Sequence, residues 1–228
     1  MKILALETAT LAGSIAVADD IDGIIAEVRI DIKVAHSERV MPSVDWLLGS
    51  AHMEIKEIDA FAVSIGPGSF TGLRIGLSTV KGFAYAAGKP VIPVRTLDAF
   101  ARTIPFSRHL ICPMLDARKN EVYAALYRWD NGVCVKVMSE MAIKPAELLE
   151  EIHEPVVVTG DGAETYKEII RDTLKDKALF APPSRMSPSA STVAEIGIEK
   201  MREGSIHDPV SLSPFYIRKS EAEVRWKG

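Results

Sequence analysis

Residues 58–87 read IDAFAVSIGPGSFTGLRIGLSTVKGFAYAA, and this segment carries the clearest structural signals in the chain. The apolar run 60–65 is typical of a buried strand. The Gly-Pro-Gly-Ser segment that follows forces a sharp turn, because glycine reaches backbone angles that other residues avoid and proline fixes its own. Ser69 is the expected N-cap of a helix over 70–87, and Gly88 is its expected end. The stretch therefore predicts a strand, a tight turn and a long helix.

At 100° per residue, this helix carries two non-polar stripes and one polar face. The first stripe is mostly small (Gly72, Gly76, Thr79, Phe83, Ala86), the second is aliphatic (Leu73, Leu77, Val80, Ala84), and the third face is polar (Arg74, Ser78, Lys81, Tyr85). A helix lying on its own sheet needs only one stripe. The small stripe therefore predicts a surface for a second helix, from this chain or from a partner. The alternative, in which both stripes belong to an ordinary core, stays open.

The composition is that of a globular protein. The 228 residues are 47% hydrophobic and 25% charged, with a net charge of −4, which argues against a protein that coats nucleic acid or a membrane by bulk electrostatics. The start of the chain shows no signal-peptide pattern, and no apolar run approaches the length of a membrane span. Cys112 and Cys134 lack metal-ligand spacing. We therefore expect a reduced, cytoplasmic protein.

The order of elements repeats along the chain. Strands are predicted at 2–6, 13–18 and 24–30, then a helix over AHSERVMPSVDWLL (35–48), and then the strand and helix of the opening stretch. The second half gives strands at 110–115, 121–127 and 133–141, a helix from Pro145, a strand at 155–159 and a helix from Ala163. The pattern in each half is βββαβα.

Two landmarks support a duplication. Glu7 matches Asp116, and Gly23 matches Gly132, each at a spacing of 109 residues (116 − 7 and 132 − 23). An internal repeat of this length indicates an architecture of two similar lobes. We expect an N-terminal lobe at 1–105 and a C-terminal lobe at 106–228, the latter with an extra helix at 189–202 and a tail.

Six segments, taken in order, carry a family resemblance that covers essentially the whole chain. They are ILALETAT, AHSERVMP, SIGPGSFTGLRIGLSTVKG, LDARKNEVYAALY, TGDGAETY and SPFYIR. Together they resemble the TsaB (formerly YeaZ) family of bacterial tRNA threonylcarbamoyladenosine biosynthesis proteins. The resemblance implies a duplicated RNase H-like α/β fold of the actin, sugar-kinase and heat-shock-chaperone ATPase superfamily. In that superfamily the two hairpin turns embrace the phosphates and metal of ATP.

The resemblance also implies a function. Members of this family are non-catalytic dimerisation or scaffold subunits, required for threonylcarbamoylation of N6 of adenosine 37 in tRNAs that read codons beginning with A. They act through the catalytic subunit TsaD, alongside the ATPase TsaE, and pair with themselves when alone. No tightly bound cofactor is expected, although ATP or ADP with Mg²⁺ is allowed in the complex. Contact with tRNA is expected to be indirect or weak, and no membrane is involved.

Site residues follow from the same resemblance. A vestigial nucleotide site would use Glu7, Thr8 and Thr10 in the first lobe and Asp116 in the second. The alternative is that these residues are turn formers retained from the duplication. The partner interface would use the first two helices through His36, Arg39, Val40, Ser43, Leu47, Gly72, Arg74, Ile75, Gly76, Thr79, Phe83 and Ala86. No catalytic residue and no metal ligand is expected.

Other functions are disfavoured by missing features. Leu73 follows Gly72 where a phosphate-binding Walker loop needs lysine, so residues 66–72 are better explained as a tight connection. None of the histidines (His36, His52, His109, His153, His207) forms the His-x-x-x-His pair on which TsaD carries its metal, which disfavours a metalloprotease. A stand-alone ATPase or kinase using Glu7 and Asp116 with Mg²⁺ remains the alternative. The basic tail (Arg218, Lys219, Arg225, Lys227) is expected to be solvated rather than bound to tRNA.

Overall fold

The computed structural model describes residues 1–32 and 34–218, which fold as two compact units. Of the described residues, the first unit comprises Met1–Ala99 and Ser189–Phe215, and the second comprises Phe100–Pro188 and residues 216–218. The strands are β1 (Lys2–Glu7), β2 (Gly13–Asp19), β3 (Gly23–Ile30), β4 (Ala60–Gly66), β5 (Val91–Arg95), β6 (Leu110–Arg118), β7 (Glu121–Asp130), β8 (Val133–Ile143), β9 (Val156–Thr159) and β10 (Ala178–Phe180). The helices are α1 (His36–Ser50), α2 (Phe70–Ala87), α3 (Thr96–Arg102), α4 (Pro145–Glu150), α5 (Asp161–Thr165), α6 (Lys167–Leu174) and α7 (Ala190–Arg202).

The first unit is a mixed sheet covered by helices on both faces. Its strand order is β3-β2-β1-β4-β5; β1 pairs antiparallel with β2 and parallel with β4. Leu4 and Leu6 of β1 belong to the cluster that α1 and α2 cover, whereas Ile3 and Ala5 belong to the cluster that α7 covers. Because both faces of the central strands are buried, β1 and β4 are nearly continuous apolar runs. The opening stretch of sequence thus forms the strand and helix at the centre of this unit.

The second unit repeats the same topology. Its order β10-β9-β6-β7-β8 matches that of the first unit strand for strand, with the same antiparallel and parallel pairings. Gly23 and Gly132 both have left-handed backbones, with φ of 79° and 82°, at equivalent hairpin turns. Left-handed backbone favours glycine, which explains why this landmark repeats. The duplicated RNase H-like fold predicted from the sequence is confirmed.

Each unit has one strand more than the βββαβα pattern predicted. Pro93 interrupts the apolar run of β5, and proline within a run argues against a central strand. The structure places β5 at the edge of its sheet, where a missing backbone donor is tolerated. β10 has only 3 residues, too few for an alternation pattern. Each unit is therefore βββαβαβ in the described residues.

The extra helix α7 lies in a different place from the one predicted. The sequence boundary assigned residues 189–202 to the second lobe, but α7 packs on the first sheet. The reason is steric: this face of the sheet is built from alanines, and a Cβ on Gly197 of α7 would lie only 3.0 Å from Cβ of Ala62. The backbone N–H of Ala190 also donates to Oγ of Ser14, 2.8 Å away. Small residues on both sides thus admit the helix.

Two features are absent from residues 1–32 and 34–218. No helix in that part of the chain is long and apolar enough to cross a bilayer. No group of three or more His, Cys, Asp or Glu side chains there is arranged to hold a metal ion.

Candidate functional site

The turn that joins β1 to β2 begins with a fully buried carboxylate. Glu7 accepts hydrogen bonds from the backbone N–H of Ala9, at 2.6 Å, and from the hydroxyl of Ser64 on β4. Burial raises the pKa of Glu7 to about 7, although both hydrogen bonds and the charge of Arg29 oppose the shift. Glu7 therefore ties the end of β1 to its neighbour β4.

The next residue of the turn packs directly against α2. The hydroxyl of Thr8 donates to the backbone carbonyl of Gly72, 2.8 Å away. A Cβ at Gly72 or Gly76 would come within 3.0 Å of Thr8 oxygens, closer than real Cβ atoms approach. Ser69 adds a further link, because its backbone N–H donates to the carbonyl of Ala9 at 2.7 Å. The glycines of α2 thus bring the helix backbone against the turn.

Side chains of α1 hold the rest of the turn. Nε2 of His36 donates to the carbonyl of Thr10 at 2.7 Å, so Nδ1 is left to accept from the guanidinium of Arg39, 3.0 Å away. Arg39 also donates to the carbonyls of Leu11 and of Ile30, the latter at 2.8 Å. Burial, together with the Arg39 charge, lowers the pKa of His36. The imidazole is therefore neutral at neutral pH and helps α1 to bind the turn's carbonyl oxygens.

The fold family implies ATP, but the first unit's predicted nucleotide residues do not fit it. Glu7 and Thr8 are buried and bonded inside the unit, and the Thr10 hydroxyl donates to the carbonyl of Ala12 at 2.9 Å. The cavity beside the turn, lined by His36 and Arg39 among others, has a volume of about 10 Å³, room for a single water molecule. These side chains have structural roles in this conformation.

The equivalent turn in the second unit is more open. Asp116 accepts from the backbone N–H of Arg118 at 2.8 Å and pairs with its guanidinium at 3.0 Å. The carboxylate of Asp161 accepts from the backbone N–H of Asp116 at 3.0 Å. Burial raises the pKa of Asp161. The role of Asp116 in nucleotide binding stays a prediction.

The predicted interface residues do not form an exposed stripe. Seven of them are buried inside the first unit: His36, Arg39, Val40, Ser43, Leu47, Gly72 and Gly76. Ile75, Thr79 and Phe83 are partly buried, and Arg74 and Ala86 are exposed. The expectation that the small stripe is a free docking surface needs correction: its glycines face Thr8, and Phe83 stacks on Phe61 at 5.8 Å.

The outward surface of α1 and α2 carries large side chains instead. Trp46 of α1 is 62% exposed and Met41 is 52% exposed, while Tyr85 of α2 is 83% exposed. Arg74 lies over the ring of Phe70, 3.8 Å from its centroid. We call these five residues the helix-pair surface. Sequence reasoning assigned Tyr85 and Arg74 to a polar face and missed Trp46, although a tryptophan off the α1 apolar spacing was a usable signal.

Of the four basic tail residues, only Arg218 lies within the described residues. Arg218 is not a free solvated charge: its guanidinium donates to Glu121 and to the carbonyl of Ala117. Lys219, Arg225 and Lys227 lie outside the described residues. Before this point the chain crosses the first unit, where the backbone N–H of Phe215 donates to the carbonyl of Ile65 at 2.7 Å and Arg95 stacks on the Phe215 ring.

The fold defines the class. The strand order and the duplication are those of the RNase H-like α/β proteins that include actin, sugar kinases and heat-shock-chaperone ATPases. A solved structure of the activator of 2-hydroxyisocaproyl-CoA dehydratase from Clostridium difficile, determined with bound ADPNP, matches the fold with a TM-score of 0.54 at 10% identity, covering 95% of this chain and 100% of that one.

Closer similarities give the family. The model of the family described as TsaD, tRNA N6-adenosine threonylcarbamoyltransferase, matches residues 15–226. The Bacillus subtilis tRNA threonylcarbamoyladenosine biosynthesis protein TsaB is 34% identical over 99% of this chain and 98% of its own length. The structure of YeaZ from Pseudomonas aeruginosa has a TM-score of 0.80 at 27% identity, covering 94% of this chain and 99% of that one. The chain belongs to the TsaB (YeaZ) family, as the sequence motifs predicted.

Proposed function

We propose that this chain is a non-catalytic subunit in the biosynthesis of threonylcarbamoyladenosine at position 37 of tRNA. It binds the transferase subunit TsaD through the helix-pair surface and keeps that subunit in a working state. The family membership supports the pathway, because the full-length relative carries that role in its name. In the absence of TsaD, the same surface pairs with a second copy of the chain, and TsaE is a further partner in the complex.

The observation that carries the contact is the exposure of Trp46 and Tyr85 on adjacent helices. Tryptophan, tyrosine and arginine dominate the residues on which protein interfaces depend. Arg74 is held over the Phe70 ring, so its guanidinium is already positioned for a partner.

The contact is tested with the purified full-length chain and the transferase subunit from the same genome. We expect Trp46→Ala and Tyr85→Ala each to weaken binding at least tenfold in calorimetry, about 1.4 kcal/mol or more. Ile21→Ala is the matched control, because Ile21 is an exposed apolar residue in the turn between β2 and β3, outside both helices. Equal affinity for all variants would remove the helix-pair surface from the proposal.

The pathway is tested in cells. Depleting the chain should remove threonylcarbamoyladenosine from digested tRNA, as measured by mass spectrometry, and the wild-type gene should restore it. Unchanged levels of the nucleoside would contradict the proposed function. Calorimetry of ATP with Mg²⁺ against the isolated chain separates the subunit from a stand-alone ATPase. We expect no binding that depends on Glu7, because its carboxylate is fully buried.

A further inference from the structure

The turn between β1 and β2, residues 8–12, stands where ATP-using members of the superfamily contact phosphates, yet here it contacts two helices. One contact comes from α2 through its glycine backbone, and the other from α1 through His36 and Arg39. The turn therefore links the two helices that carry the helix-pair surface.

We propose that this turn is a positioning element that sets the placement of α1 relative to α2, and thereby the geometry of the helix-pair surface. Its contact with α2 is made by Thr8. Its contacts with α1 are made by the carbonyls of Thr10 and Leu11, which bind His36 and Arg39. The expected effect on binding to the transferase subunit rests on the proposed function. The effect on the placement of α1 and α2 can be measured in the chain alone.

The α2 contact is steric and directional. Because Gly72 and Gly76 have no side chains, the α2 backbone sits directly on the carbonyl and hydroxyl of Thr8. A methyl group at position 72 would have to push the helix away from the turn, since the atom it meets is backbone and has no other rotamer. A shift of the turn is therefore passed to α2 without a flexible side chain in between.

The α1 contact is polar. Arg39 is only 7% exposed, and its guanidinium donates to the carbonyls of Leu11 and Ile30 and to His36. Both of these hydrogen bonds to carbonyls are partly buried, and they tie the side chains of α1 to the turn and to the end of β3. The turn thus meets each helix through a different kind of contact, one by packing and one by hydrogen bonds.

The decisive variant is Gly72→Ala, and Gly197→Ala, whose added methyl group meets only side-chain carbons, the nearest at 3.0 Å, serves as a milder control on the other face of the sheet. Both substitutions add one methyl group to a helical glycine of the first unit in close packing, but Gly197 faces Ala62 on the opposite side of the sheet. We expect Gly72→Ala to speed amide hydrogen exchange in both α1 and α2, by about tenfold or more, while Gly197→Ala affects α7. Unchanged exchange in α1 of the Gly72→Ala protein would overturn the proposal.

A second pair of variants separates positioning from simple loss of stability. Thr8→Val removes the hydrogen bond to Gly72 while keeping the shape of the side chain, and Thr8→Ser keeps the hydroxyl. We expect Thr8→Val to lower affinity for the transferase subunit about tenfold, and Thr8→Ser to restore most of it. If the wild type binds and Thr8→Val binds equally well, the inference fails while the proposed function stands. If the wild type does not bind at all, the proposed function fails, and the exchange measurement still decides the inference.

Discussion

The two units share a topology but treat the same turn in opposite ways. Glu7 of the first unit is sealed beneath its neighbours, with Ser64 and Ala9 as donors. Asp116 of the second unit stays near the surface and pairs with Arg118, whose side chain is 86% exposed. The acidic residue is kept at both positions, so its presence in the sequence does not by itself indicate a site for metal or nucleotide.

Helix length accounts for much of the difference. In the first unit α1 has 15 residues and α2 has 18, long enough to carry side chains over the turn. In the second unit α4, α5 and α6 have 6, 5 and 8 residues. Helices this short cover less of the neighbouring turn. The duplication therefore produced one unit with an enclosed turn below an exposed helix pair, and one with an open turn.

The comparison is tested most strongly by deleting each carboxylate. We expect Glu7→Ala to destabilise the chain by about 4 kcal/mol, because two buried donors lose their acceptor and a cavity remains. Asp116→Ala should cost about 1 kcal/mol or less, since water can replace its partners. Urea unfolding followed by circular dichroism measures both. Similar losses for the two variants would mean that the turns are equally enclosed.

The next largest effect is on the pH dependence of stability. The pKa of Glu7 is about 7 in the folded chain against 4.5 when exposed, so the folded state binds the proton more tightly. Its contribution is complete below pH 4.5 and falls as the pH rises through 7, by roughly 3 kcal/mol over that window.

Glu7→Gln isolates this contribution, because it removes the titration and keeps the shape. The difference in unfolding free energy between wild type and Glu7→Gln should therefore change between pH 4.5 and 7. The wild type should become less stable relative to Glu7→Gln as the pH rises. Two curves that stay parallel would contradict the burial of this carboxylate. Asp116→Asn serves as the control from the other unit.

The smallest effect concerns how the two units begin their equivalent helices. The side chain of Ser69 caps α2 by accepting from the backbone N–H of Gly72, 3.3 Å away, whereas Gly160 before α5 provides no side-chain cap. Ser69→Ala should cost about 1 kcal/mol in thermal or urea unfolding. Gly160→Ser should not provide a matching gain, because a Cβ there would collide with the carbonyl of Met114. A gain at Gly160 would show that the second unit is looser than its packing indicates.

Much of the fold could be predicted from the spacing of apolar residues and from the glycine, proline and capping residues that begin and end the elements. The strand, turn and helix of the opening stretch were predicted closely, with Ser69 as the N-cap and Gly88 as a left-handed C-cap. The placement of α7 could not be predicted, because it depends on which sheet presents an alanine-lined face, and that is a property of several strands together.

The candidate site was less predictable than the fold. A stripe of small residues looks the same in sequence whether it meets a partner helix or a loop of its own chain. Only the structure places Thr8 against Gly72 and Gly76. Likewise His36 and Arg39 read as polar surface residues of a first helical turn, because their acceptors, Thr10 and Leu11, lie far away in the sequence.

The docking of α7 on the first sheet has a consequence for biosynthesis. The ribosome makes β1 to β4 before α7, and α7, the helix that covers Ile3 and Ala62, is made only after the whole of residues 100–188. Until then the nascent first unit has one sheet face exposed to solvent, and such surface promotes aggregation. The first unit is thus completed only after the second unit has been synthesised.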